Sequence, residues 1–166
     1  MRRLGEQPTE EREIPSSRAT PYLTVHDGPA ALEFYAAAFG AVEMMRVVMD
    51  EATGQLGHAE FRIGETAFFL SDEFAEMGVI SPRTLAGTAI AIHLDVDDVD
   101  DVFAAAVAAG AEMLSPPADQ PHGARHGAVV DPFGHRWMIS QQIERVGRAD
   151  YETRMRDLGL VVTGSP

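Results

Sequence analysis

The 166-residue chain contains no cysteine, and all 13 of its basic residues are arginine. The first absence excludes disulfides, thiolate metal sites and cysteine nucleophiles. The second excludes a lysine Schiff base and a lysine general base. No apolar run of roughly 18 residues, the length a spanning helix needs, occurs anywhere in the chain, so a membrane partner is not expected. The N-terminal stretch MRRLGEQPTEEREIPSSR carries charges but no apolar core, so it does not read as a secretory signal, and the cytoplasm is the expected location. Positive charge is scarce: 26 acidic residues give a net charge of −13. A surface of that sign repels phosphate backbones, so nucleic acid is not an expected partner. Also missing are the G-x-S-x-G elbow, the phosphate-binding loop, the dinucleotide fingerprint and the H-E-x-x-H zinc motif.

What is present is a periodic, apolar-rich chain. Residues 1–18 read as a flexible arm, polar and punctuated by proline. TPYLTV then predicts a strand. In the following segment Leu32, Tyr35 and Phe39 recur at helical spacing, with Phe34 and Ala38 beside them. Asp27 precedes Pro29 as a cap before a first-turn proline, and Gly40 stops the helix. VEMMRVVMD, GHAEFRIG and TAFFLSD predict three strands. Met44, Met45 and Met49 read as core filler. Of the adjacent phenylalanines, Phe68 points to the core and Phe69 to the opposite face.

After a polar connection the order returns. In TAIAIHLDV, Ile90, Ile92, Leu94 and Val96 occupy one face, and Ala89, Ala91, His93 and Asp95 the other. DDVDDVFAAAVAAGA predicts a helix with a stripe of Val99, Val102, Phe103 and Val107, ended by Gly110. EMLSPP, RHGAVVD and HRWMISQQI predict three more strands, with Trp137 in the core, and RADYETRMRDLGL a short terminal helix. The sequence thus reads β-α-β-β-β twice, offset by about 70 residues, and an internal repeat constrains a fold more than any local pattern. The expected class is α+β: two tandem βαβββ modules, about 19–72 and 88–145, joined by a linker over about 73–87 and followed by a helix and tail over 146–166. Each helix covers one face of its sheet, and the spare faces can curve into a single trough.

The turn DPFG, with aspartate first, proline second and glycine fourth, fits a type I turn between two strands. Set in the duplicated order, it resembles the vicinal oxygen chelate superfamily, which includes glyoxalase I, bleomycin resistance proteins and extradiol dioxygenases. PYLTVHDGPAALEFYAAAFGA, GHAEFRIGE, HLDVDDVDDVFAAAVAAGAE and DPFGHRW resemble in particular its small bacterial PhnB-like branch. The resemblance implies the trough and a homodimer. It also implies four metal-ligand positions, usually histidine or glutamate, which fall here at Thr20, near Phe69, at Ala91 and at Met138. None is an ordinary ligand for a divalent metal: alanine has no donor, and methionine suits copper(I).

The expectation is therefore a binding protein without metal or other cofactor, holding an apolar or aromatic small molecule, for instance an antibiotic sequestered in resistance. Tyr22, Thr24, Phe69, Ala91, His93, Asp95, Arg136, Met138 and Ser140 would line the trough, mostly apolar with a few polar groups to orient the ligand. Two enzymatic alternatives stand beside it. His58 and Glu60, two apart on one strand face, could join His93 in a displaced divalent-metal site of a lyase or dioxygenase. His93 and Asp95 could instead act as base and orienting acid in a metal-free isomerase or cyclase. A structural interaction module has less support, because it gives the trough no purpose. His122 and His126 read as loop or strand-start histidines, and His135 as a local hydrogen-bonding group beside the turn.

Overall fold

The computed structural model describes residues 19–164, so the arm predicted over 1–18 lies outside the described residues. The first module contains β1 (Tyr22–Val25), α1 (Gly28–Phe39), β2 (Val42–Asp50), β3 (Gln55–Ile63) and β4 (Thr66–Asp72). The second contains β5 (Ala91–Asp95), α2 (Val99–Ala108), β6 (Glu112–Asp119), β7 (Ala124–Val130) and β8 (Arg136–Gln142), and α3 (Arg148–Asp157) follows. Each module forms a four-stranded sheet, ordered β1-β4-β3-β2 and β5-β8-β7-β6. In both, the first strand pairs in parallel with the last and the other pairs are antiparallel.

The helix boundaries follow from capping chemistry. The Asp27 carboxylate accepts from the Ala30 N–H at 3.1 Å, and Pro29 lies in the first turn, where its missing donor costs nothing. Gly40 closes α1 with φ 64°, a left-handed conformation in which glycine carries no Cβ penalty. Asp98 caps α2 by accepting from Asp101 N at 3.0 Å, and Asp100 and Asp101 sit at the positive end of the helix dipole.

Both helices cover the same side of the sheets, and one core joins the modules. Leu32, Phe34, Tyr35 and Phe39 of α1 are buried with Phe61, Phe68, Phe103 and Trp137. The Tyr35 ring stacks on Phe61 at 5.2 Å, and Phe39 meets Trp137 of β8 at 4.5 Å, so the first helix packs on the second sheet as well as its own. Burying a side chain of this size contributes about 1.5–3 kcal/mol. Asp131 of the DPFG turn completes the junction. Its buried carboxylate accepts from the Tyr35 hydroxyl, the Trp137 indole N–H and the N–H groups of Phe133 and His135, each at 2.9 Å.

Four expectations are corrected. Met44, Met45 and Met49 are not core filler: β2 is exposed along its length, with Met44 58% and Met49 65% exposed, because it is the outer edge of its sheet. Ile90 does not face a helix. The strand begins at Ala91, and the Thr88 hydroxyl both donates to the Ile90 carbonyl and accepts from the Ile90 N–H, a local turn that competes with the ladder. On α2 the buried positions are Val99, Phe103 and Ala106, while Val102 is half-buried and Val107 exposed. The strand expected at EMLSPP runs on to Asp119, since an outer edge tolerates the two prolines.

Among the described residues no helix is long and apolar enough to cross a membrane.

Candidate functional site

With both helices on one side, the opposite side of each sheet is left open. Alternation puts Tyr22, Thr24, His58, Glu60 and Phe69 there in the first module and Ala91, His93, Asp95, Arg136, Met138 and Ser140 in the second. Their neighbours Phe61, Phe68, Trp137 and Ile139 are buried beneath the helices. Strand register aligns them in rows: Tyr22 beside Phe69, Ala91 beside Arg136, His93 beside Met138 and Asp95 beside Ser140.

The inner edge strands β1 and β5 flank a cleft of about 650 Å³, within the range of small-molecule sites. Tyr22, Thr24, Ala91, His93 and Arg136 line it, together with Thr20. Phe69, Asp95, Met138 and Ser140 are not among its walls; the first three lie further out on the open faces, and Ser140 is buried. Sequence reasoning missed Ile80, Pro82, Thr88, Ile90 and His135, all of which line the cleft. Ile80, Pro82 and Thr88 come from the connection between the modules, where no periodicity announces which way a side chain points, and Ile90 stands just before β5, where alternation had turned it toward the helices.

That connection is held in place rather than left loose. The Glu73 carboxylate accepts from the Ser81 N–H and the Thr84 hydroxyl, each at 3.0 Å. These bonds, the Ser81 backbone first, hold its pKa below the ordinary carboxylate value. Arg83 donates to the Pro132 carbonyl at 2.8 Å, tying the connection to the DPFG turn. His135 does more than local bonding. Its Nε2 lies 3.0 Å from the Thr24 carbonyl, which can only accept, so the ring donates there and bridges β1 to the second module.

On the first sheet Tyr22, His58 and Phe69 form an aromatic shelf, with ring centroids 5.1 to 5.8 Å apart. The Tyr22 hydroxyl lies 3.0 Å from His58 Nδ1, and His58 Nε2 lies 3.4 Å from a Glu60 oxygen. On the second sheet His93 Nε2 and Asp95 Oδ1 lie 3.0 Å apart, an exposed hydrogen-bonded pair. His126 faces the same side from β7, paired in register with Ser140. Its pKa is shifted below the ordinary imidazole value, chiefly by burial and then by His122 and His93.

The family's metal positions can be tested against these residues. Thr20 and Ala91 line one cleft, and Phe69 and Met138 lie on the open faces, but the four side chains offer one hydroxyl and one thioether between them. They do not fit a hard divalent cation. The residues of the displaced alternative are divided between the sheets. His58 and Glu60 lie on the first sheet and His93 on the second, and among the described residues no three histidine, aspartate or glutamate side chains are grouped so as to hold an ion.

Comparison with known proteins gives the architecture its relatives. Residues 18–139 match the model of the glyoxalase/bleomycin resistance protein/dioxygenase superfamily. The chain belongs to that superfamily. An uncharacterized protein of Mycobacterium bovis is 38% identical over 143 residues, covering 84% of this chain and 93% of that protein. Among solved structures, TioX from Micromonospora sp. ML1 is 25% identical with a TM-score of 0.58, over 76% of this chain and 99% of TioX. A PhnB protein of Bacillus cereus shares the fold at 18% identity, with a TM-score of 0.55 over 75% of this chain and 99% of that one. The superfamily's paired modules are therefore intact here, including the PhnB-like arrangement.

Proposed function

We propose that this superfamily member binds an apolar or aromatic small molecule in the cleft between β1 and β5, without a metal. The observation that carries this reading is the cleft itself: at about 650 Å³ it suits a drug-sized compound, and its walls combine Ile80, Pro82, Ile90 and Tyr22 with a few oriented polar groups. Sequestration of an antibiotic is one role that such a site supports. The His93–Asp95 pair favours the metal-free isomerase or cyclase as a second reading, since the carboxylate can orient an imidazole whose ring borders the cleft. We further propose a homodimer, built on the apolar outer edges that the fold leaves exposed.

The neutral dye N-phenyl-1-naphthylamine tests the first reading. It should bind the full-length protein saturably at one site per chain. Ala91→Trp, which fills the cleft from an exposed strand position, should abolish binding while leaving the circular dichroism spectrum unchanged. Elemental analysis of protein purified without chelator should find every transition metal well below one equivalent. A stoichiometric metal, or dye binding indifferent to Ala91→Trp, would sink the proposal.

A further inference from the structure

The chain is strongly acidic, yet its seam cleft is not. None of the fifteen residues lining it is aspartate or glutamate. Four other surface clefts each hold at least two carboxylates: Asp95 and Asp97 in one, Glu60 and Glu65 in another, Asp27 and Glu33 in a third, and Asp27, Asp50, Asp72 and Glu73 in the last. With 26 acidic residues spread along 166, the seam is the one of these five clefts from which negative charge is withheld.

The basic groups there are not equivalent. The His93 ring is hydrogen-bonded to Asp95, which lies outside the cleft, and the His135 ring donates to the Thr24 carbonyl. Among the described residues Arg136 makes no side-chain hydrogen bond or ion pair, although six of the nine arginines there do. It stands at the start of β8, beside Ala91 in register, with its side chain on the open face. A permanent cation is thus presented at the wall of a cleft whose lining, among the described residues, holds no carboxylate. Tyr22 and Ile80 are among the other residues lining the same cleft. A guanidinium of this kind suits planar oxyanions, to which it can donate two parallel hydrogen bonds.

We infer that the cleft selects an amphipathic anion: an apolar or aromatic body laid along the seam, and a carboxylate, sulfonate or phosphate group on Arg136. The inference rests on the proposed binding function and adds the sign of the ligand. The protein's overall field opposes the approach of any anion, so selection comes from the local guanidinium. Neutral analogues of the same body then lose one charge-assisted contact.

Two dyes with closely similar aromatic bodies separate this claim from the reading beneath it. One is 8-anilinonaphthalene-1-sulfonate, which carries the charge; the other is neutral N-phenyl-1-naphthylamine. In the full-length protein the sulfonate should bind more tightly than the neutral dye. Arg136→Gln should weaken the sulfonate about tenfold, the scale of one charge-assisted hydrogen-bonding contact at a partly open site. It should leave the neutral dye within about twofold, since the apolar contacts remain. Arg136→Lys should recover part of the loss, because it restores charge without the planar fork. Arg136 is exposed on a strand, so these variants keep the core intact. If both dyes bind equally and neither responds to Arg136→Gln, the anion inference is overturned while the cleft survives as a binding site. If neither dye binds at all, the binding function itself fails, and the inference with it.

Discussion

His126 shows how the open face treats a polar side chain. Its Nδ1 is buried with no hydrogen-bond partner among the described residues, and His122 lies close enough for the two rings to stack at 6.3 Å. Burial and the neighbouring imidazoles of His122 and His93 all disfavour a positive charge there. Unfolding returns the ring to its ordinary value of 6.5. Below that pH the unfolded chain takes up a proton that the folded chain refuses, so the folded state loses ground. The contribution is intact above 6.5 and is lost as pH falls through the depressed folded value. Replacing His126 with glutamine should therefore flatten the fall in thermal midpoint measured from neutral to mildly acidic pH, with little change at alkaline pH. A parallel fall in both proteins would show that the burial of this ring is not what the acid limb reports.

Among the elements, the DPFG turn does more than reverse the chain. Asp131 gathers donors from α1, from β8 and from the turn itself, and so couples the two modules through one carboxylate. At Gly134 φ is +92°, and an added Cβ would come within 2.8 Å of the Arg83 backbone nitrogen, so the connection between modules lies tightly over the turn. Asp131→Asn keeps the shape but turns an amide N–H₂ toward groups that all donate. Leaving one or two buried donors unsatisfied costs about 2–4 kcal/mol. The expected outcome is a clear drop in the thermal midpoint, with a red shift in the emission of Trp137, the only tryptophan. An unchanged midpoint would place the coupling elsewhere. The Tyr35 phenol belongs to the same network, and its ionisation is pushed well above 10.0 by burial first and by Asp131 second. Much of this level was legible beforehand. Strict alternation in HLDV and HRWMIS fixed which side chains face the helices, and the aspartate and glycine signals fixed the helix ends. The errors at Met44, Met45 and Met49 arose because hydrophobicity reports a preference for burial, not whether a strand sits at the centre or the rim of its sheet.

For the whole molecule, the duplication explains both the cleft and its concealment in the sequence. Two open faces can be read from periodicity, but the seam between them depends on how modules and connection settle together, which is why Ile80, Pro82 and Thr88 were not foreseen. The same settling leaves two unpaired outer edges, β2 and β6. β2 exposes Val42, Met44, Met45, Val47, Val48 and Met49, and β6 exposes Met113 and Leu114. Edges this apolar are ready to pair with another chain unless they are covered. A two-fold axis is the economical way to cover both at once, because each copy offers the same patch. A stable pair needs about 1,000 Å² of buried surface, more than a single edge supplies, so both strands should contribute. Sedimentation equilibrium of the full chain should give twice the chain mass. Placing carboxylates at Val47 and Met113 together, in a protein already at −13, should give the single-chain mass with the circular dichroism spectrum retained. A wild-type protein that sediments at the single-chain mass at micromolar concentration would remove the dimer, and the exposed methionines of β2 would need another partner.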